Sequence, residues 1–153
     1  MPFFMKLEQA IKQNTFSKGQ RLGLNLIYTF NWLKNNQKEY FSQFDITAQQ
    51  YNVLRILRGK HPEVYSTSDI RDRMLDKMSD ASRIVDRLLK KSLVERKTNK
   101  TDKRLVDIKI SNKGINLLNT MDSTIEKHAQ KPFENLTKDE QETLDQLLDK
   151  MRG

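Results

Sequence analysis

Three groups of side chains carry the chemistry in this chain, and all three suit a polyanion. Ser79, Asp80, Ser82 and Arg83, with Arg87 one turn further on, set short hydrogen-bonding groups ahead of long guanidinium groups. A helix that reads base edges in a major groove needs that order, because short side chains at its N-terminal end let the backbone approach. Serine hydroxyls contact either base type or a phosphate, and Arg83 can fork onto guanine O6 and N7, worth about 1–3 kcal/mol of discrimination. Asp80 is an unusual neighbour for DNA. It can accept from cytosine N4, favour the positive end of a helix, or hold Arg83 in position. Ser66, Thr67 and Ser68 offer hydroxyls and free N–H groups at a second helix start, which suits a phosphate. Between Arg96 and Arg104 stand five basic residues, Arg96, Lys97, Lys100, Lys103 and Arg104, against Asp102 alone. Lys103 or Arg104 can enter a narrow minor groove, where negative potential concentrates, with Asp102 orienting the Arg104 guanidinium.

Other chemistries find no support. There is no cysteine, which removes disulfides, thiol redox sensing and thiolate metal sites. His61 and His128 are the only histidines, too few for a zinc set. His61, beside Pro62, reads as a solvated loop residue and His128 as a helix-surface one. No nucleophile and base motif, Gly-rich phosphate loop or metal-ligand cluster is present, so the expectation is a chain that is not an enzyme and uses no cofactor.

The elements that position these groups follow from hydrophobic spacing. Ala81, Ile84, Val85, Leu88 and Leu89 fall at i, i+3, i+4, i+7 and i+8, which predicts a recognition helix over 79–91 with one buried face. A short helix from Ser66, capped by Ser-x-x-Asp and burying Ile70 and Met74, precedes it across the turn Leu75-Asp76-Lys77-Met78, giving a helix-turn-helix. After Leu93 the period becomes two: Val106, Ile108 and Ile110 face one way, Asp107 and Lys109 the other, around the turn-forming Asn99-Lys100-Thr101-Asp102. A wing over 93–110, two- or three-stranded and antiparallel, is the economical reading. Upstream, Thr47 with Gln50 forms a capping box for a helix burying Val53, Leu54 and Leu57 and ended by Gly59 and Pro62. Further upstream lie a short helical turn at Leu7 to Ile11 and a long helix over about 21–41. That long helix has more apolar surface than one small core needs, so Tyr28, Phe30 and Trp32 read as core or dimer-interface residues. Downstream, Ser111 caps a helix carrying Ile115, Leu118, Met121 and Ile125, with a break at Pro132. Thr137 with Glu140 opens a last helix that buries Leu144, Leu147, Leu148 and Met151.

The chain of 153 residues is one domain with a real core, mainly α with a small wing. Its net charge of +8 is polarised: residues 71–109 hold thirteen Lys/Arg against seven Asp/Glu, whereas residues 132–153 hold three against six. A polyanion is therefore drawn to the middle and repelled by the C-terminal end. The longest apolar run, Leu22 to Leu33, is broken by polar residues and falls short of the ~20 residues a membrane span needs. The N-terminal Met-Pro-Phe-Phe-Met-Lys shows no signal-peptide pattern, so a cytoplasmic setting without a membrane partner is expected. Taken alone, a basic helix face is usually a solvated one, and Asp102 with Arg104 a surface ion pair worth ~0–1 kcal/mol. Order and spacing together point to double-stranded DNA. A non-sequence-specific architectural binder and a winged-helix protein-interaction module remain as alternatives.

Ser82-Arg-Ile-Val-Asp-Arg-Leu88, then Leu93-Val94-Glu95-Arg96, Asp102-Lys103-Arg104, Val106 and Ser111-Asn112-Lys113-Gly114 closely resemble the multiple-antibiotic-resistance regulator (MarR) family. The resemblance implies a winged helix-turn-helix homodimer in which helices of about 1–44 and 115–153 interleave as the interface and about 45–114 form the DNA-binding lobe. It implies a transcriptional regulator, commonly a repressor, that binds a pseudo-palindromic operator with one recognition helix per half-site and a wing arginine in the minor groove. Carried over, the base readers lie among Ser79, Asp80, Ser82 and Arg83, and the wing pair is Asp102 and Arg104. Many members are released by a small, often aromatic, effector bound between lobe and dimer helices, for which Tyr28, Trp32 and Tyr51 are pocket candidates. Others sense oxidants through cysteine, which this chain lacks. Ser92 departs from the glycine usual after the recognition helix and would need a left-handed conformation costing about 1 kcal/mol or more.

Overall fold

Each helix start is written in the residue that caps it. In a computed structural model that describes residues 5–153, helix α1 spans Leu7–Ile11, α2 Lys18–Ser42, α3 Ala48–Lys60, α4 Thr67–Arg73 and α5 Ala81–Lys90. Strands β1 (Val94–Thr98) and β2 (Val106–Ile110) follow, then α6 (Asn112–Gln130), a 3-10 turn over Lys131–Phe133, and α7 (Lys138–Arg152). The sequence reading of the extreme N-terminus, and the first residues of the interface segment from residue 1, lie outside the described residues. Ser17, Thr47, Ser66 and Thr137 form reciprocal boxes with Gln20, Gln50, Asp69 and Glu140, satisfying donors that a helix start leaves free. Ser111 caps α6 through the Gly114 N–H at 3.0 Å.

The core lies where α3, α4, α5, the wing root and α6 meet. Leu54, Leu57, Ile70, Leu88, Ile108, Ile110, Leu118 and Met121 are essentially inaccessible to solvent. The wing pairs Val94 with Ile110 and Thr98 with Val106 in antiparallel register. A third strand is reduced to one bridge, in which Tyr65 and Ile108 exchange two backbone hydrogen bonds of 2.9 Å. Arg58 of α3 grips Asp122 of α6 with two bonds of 2.8 and 3.0 Å, which ties the lobe to the long C-terminal helix. That grip holds the Asp122 carboxyl below its usual pKa.

Two backbone positions decide how α5, the wing and α6 join. Ser92 adopts φ +60°, the left-handed conformation that the departure from glycine demands, and its carbonyl accepts from the Ser111 hydroxyl at 2.8 Å. Ser92→Gly is expected to raise stability by about 1 kcal/mol, read as a higher denaturant midpoint at unchanged slope. At Gly114 a β-carbon would sit 2.3 Å from the Leu93 carbonyl oxygen and 2.8 Å from Ile110 Cγ1. Backbone and core must both yield, so Gly114→Ala is expected to destabilise by about 1–3 kcal/mol in the same experiment. A midpoint equal to the parent's would show that α6 does not seat on the wing root.

Several expectations need correction. The α3 helix runs through Gly59 and ends at His61, because no left-handed residue is needed where the chain turns into Pro62. The α7 residues Leu144, Leu147 and Met151 are exposed rather than buried, Leu148 is only half-buried, and no residue of α7 is buried. Leu22, Ile27, Tyr28, Phe30 and Trp32 of α2 are exposed too, so a core role for these aromatics is excluded. Within one chain these two helices leave their apolar faces uncovered. His128 is not a free surface residue: its ring stacks on Tyr40 at 4.0 Å, and burial pushes its pKa down. Among the described residues no helix is long and apolar enough to cross a membrane, and no group of three or more His, Asp or Glu is placed to hold a metal.

Candidate nucleic-acid interface

The helix-turn-helix consists of α4, the turn over 74–80, and α5. Ala81, Ile84, Val85 and Leu88 hold α5 against the core, leaving Ser82, Arg83 and Arg87 exposed on its outer face. The recognition helix begins two residues later than the hydrophobic spacing suggests. Asp80 is its N-cap, with extended backbone, and its carboxylate accepts from the Arg83 N–H at 3.1 Å while lying 3.8 Å from Arg83 Nε. Of the three roles open to Asp80, the structure engages the helix-end one, and its contact with the Arg83 side chain is too long for a hydrogen bond. Arg83 keeps 79% of its side chain accessible and is free to extend.

Ser79 lies ahead of the helix. Its hydroxyl donates to Asp76 Oδ2 at 2.7 Å and accepts from Gln49 Nε2 at 3.0 Å, and Asp76 Oδ1 accepts from the Met78 N–H at 3.0 Å. These donors hold the Asp76 carboxyl below its usual pKa, the Ser79 hydroxyl contributing most. The sequence reading missed this clamp, although Asp-x-x-Ser is a turn signal in which aspartate bonds the backbone two residues on. Gln49 gave no signal at all, since it arrives from α3, thirty residues earlier.

At the start of α4 the phosphate candidates divide. The Ser66 hydroxyl is consumed by its own box, donating to Asp69 Oδ2 at 2.6 Å and accepting from the Asp69 N–H at 3.1 Å. The carboxylate of Asp69 also occupies the helix end where an anion would sit, so Ser66 is withdrawn from phosphate contact. Ser68 is exposed and its hydroxyl meets Arg71 at 3.4 Å, while Thr67 occupies the first helical position.

The wing tip is ordered by side chain to backbone bonds. Asn99 Oδ1 accepts from the N–H groups of Thr101 and Asp102 at 2.8 and 2.9 Å, and Asn99 Nδ2 donates to Asp107 at 2.8 Å. Asp102 accepts from the Arg104 backbone N–H at 2.9 Å and makes no ion pair with its guanidinium. The expected orienting pair is thus replaced by a turn-forming contact, because a side chain so short reaches the nearer backbone donor first. Among the described residues Lys97, Lys100, Lys103 and Arg104 have no ion-pair partner, and all four are exposed. Arg96, by contrast, pairs with Asp86 of α5 at 3.0 Å across the surface between the wing and the recognition helix. No spacing rule pairs residues of different elements, so this link was not legible.

The structure does not bring the three aromatic pocket candidates together. Tyr51 packs on Phe41 at 4.8 Å, whereas Tyr28 and Trp32 stand exposed on α2. A cavity of about 550 Å³ opens elsewhere, between Phe44, Lys91 and Leu93 on one side and Lys113, Leu117 and Thr120 of α6 on the other.

A MarR family model matches residues 46–106, which contain the helix-turn-helix and most of the wing. The multiple antibiotic resistance protein MarR of Escherichia coli (strain K12) is 32% identical over 128 residues, covering 82% of this chain and 88% of that protein. The chain belongs to the MarR family. It is a transcription regulator of that family and not an enzyme. Among solved structures, a cysteine-to-serine mutant of MarR from E. coli complexed with operator DNA superposes with a TM-score of 0.77 at 29% identity, covering 91% of this chain and 99% of that one. Bordetella bronchiseptica BpsR, whose DNA binding is regulated by 6-hydroxynicotinic acid, has a TM-score of 0.73 at 22% identity, covering 87% and 99%, and shares the fold. The MarR fold is mostly helical with a two-stranded antiparallel sheet, as here.

Proposed function

We propose that this MarR family chain acts as a homodimer that binds a pseudo-palindromic operator in double-stranded DNA and represses transcription until a small effector releases it. The observation that carries this reading is the cluster of exposed, unpaired cations on two connected elements, Arg87 of α5 with Lys97, Lys100, Lys103 and Arg104 of the wing. Arg83 and Ser82 supply base-edge contacts, and Thr67 and Ser68 phosphate contacts. Cations with no internal partner, on elements joined by the Arg96–Asp86 pair, favour an external polyanion over internal stability.

Dimerisation is supported by the exposed apolar faces of α2 and α7. Phe30 and Leu147 are 61% and 57% exposed, far more apolar surface than a monomer normally leaves in water. Residues of about 1–44 and 115–153 supply the interface, and about 45–114 the DNA-binding lobe. Two copies related by a two-fold axis present two α5 helices to successive major grooves, about 34–36 Å apart.

Effector release is supported by the 550 Å³ cavity, which touches the C-terminal end of the recognition helix at Lys91 and the interface segment of α6 at Leu117 and Thr120. A ligand there acts only through a difference in affinity between DNA-competent and incompetent spacings of the two lobes. Phe44, Leu93 and Leu117 line it with apolar surface that suits a small aromatic effector, while the Lys91 ammonium pairs with Asp45 at 2.8 Å and the Lys113 ammonium donates to the Lys91 carbonyl at 2.9 Å.

Arg104→Ala is expected to weaken operator binding about tenfold or more and lower the salt slope by about two, one phosphate-neutralising cation being lost from each protomer, with the unfolding midpoint unchanged. Equal affinity at two salt concentrations would remove the wing from the interface. The whole reading is tested by selecting duplexes from a random pool with the purified protein. A two-fold symmetric sequence with half-sites about one helical turn apart is expected, whereas no enrichment would contradict specific binding and leave an architectural or protein-docking role.

A further inference from the structure

The most exposed large apolar side chains in the described chain are Leu75, 90% accessible, and Met78, 94% accessible, both in the turn between α4 and α5. Single apolar residues on a surface are ordinary, and turns favour polar ones. What sets Met78 apart is its place. It stands two residues ahead of Asp80, at the end of the recognition helix that approaches base edges.

The turn that presents it is held, not loose. The Leu75 N–H donates to Asn52 Oδ1 at 3.2 Å, the Met78 N–H donates to Asp76 Oδ1 at 3.0 Å, and Ser79 is clamped between Asp76 and Gln49. Those bonds occupy the polar groups nearest the helix tip: Asp76 and Ser79 serve each other, and Asp80 serves the backbone. Between the exposed cations Lys77 and Arg83 the thioether and the Ser82 hydroxyl are the exposed groups without an internal partner among the described residues, and of the two Met78 lies ahead of the helix start. A surface offered to DNA by flanking cations, with an apolar group at its tip, has one apolar complement on a base edge in the major groove, the 5-methyl group of thymine. Methionine is well suited to that contact, since its flexible, polarisable chain adapts to a methyl group without demanding a single geometry.

We infer that Met78 is a specificity-determining residue of this regulator, packing its thioether on a thymine methyl group in each operator half-site. The inference rests on the DNA-binding reading above and adds a base preference that no hydrogen-bonding residue of α5 supplies.

Replacing thymine by deoxyuridine deletes the methyl group and leaves the hydrogen-bonding edge intact. The parent protein and Met78→Ala are compared on the duplex selected above and on versions carrying deoxyuridine at each thymine in turn. At one thymine position per half-site the parent is expected to lose about fourfold in affinity, the worth of one buried methyl group. Met78→Ala is expected to bind the unmodified duplex about fifteenfold more weakly, since the contact is lost in both half-sites, and to be indifferent to deoxyuridine at that same position. Equal sensitivity of the two proteins at every position would overturn the inference, as would Met78→Ala binding as tightly as the parent. Either result would leave specific binding itself intact, whereas failure to select any duplex would remove both readings. Because Met78 is almost wholly in solvent, its truncation leaves the core untouched, and the variant's unfolding midpoint should match the parent's.

Discussion

Arg83→Ala is expected to weaken binding to the selected duplex by roughly thirtyfold or more while leaving binding to random duplex nearly unchanged. A forked arginine to guanine contact is worth about 1–3 kcal/mol, and a two-fold symmetric complex makes it twice, so even the lower end doubles to about 2 kcal/mol. Nothing in the fold opposes the loss, since Arg83 meets only Asp80, at 3.8 Å, and its side chain lies largely in water. Substitution at one base position of each half-site should also become tolerated, which separates a base reader from a phosphate contact. Equilibrium titration on duplexes with every single-base change checks this; a uniform loss across all sequences would reassign Arg83 to the backbone.

Phe30→Asp, alone or with Leu147→Asp, is expected to convert the dimer to a monomer and to abolish tight operator binding. Two-fold symmetry places each introduced carboxylate in the interface twice, where an unpaired buried charge is costly by several kcal/mol. A monomer then engages one half-site, losing the ~10²–10⁴ that linking two sites provides. Sedimentation and operator titration measure the two effects on one sample. The lobe itself should remain folded, because Phe30 and Leu147 are not part of the buried core. A variant that stays dimeric and binds normally would move the interface away from α2 and α7.

Much of this molecule is legible in its sequence because its signals are local. Thr47 with Gln50, Ser66 with Asp69 and Thr137 with Glu140 mark helix starts within four residues, and the change of period after Leu93 marks the wing. The left-handed backbone of Ser92 is expected only through the family resemblance, which has glycine at that place. The unread part depends on what meets across elements. Ser66 and Asp102 carry the residue types for DNA contacts, yet Asp69 and the Arg104 N–H claim them first. Gln49 and Asp86 look like surface polar residues until the fold sets them against Ser79 and Arg96. The α7 leucines keep helical spacing, and spacing alone does not say whether their partner belongs to the same chain.

The most direct test of specific operator recognition is the equilibrium affinity of the purified protein for its selected symmetric duplex in competition with random duplex, at two salt concentrations. The expected result is a preference of about 10³-fold or more, with both affinities falling steeply as salt rises. A ratio near one at both salts would mean that these cations neutralise phosphate without reading sequence, and would contradict the role assigned to α5.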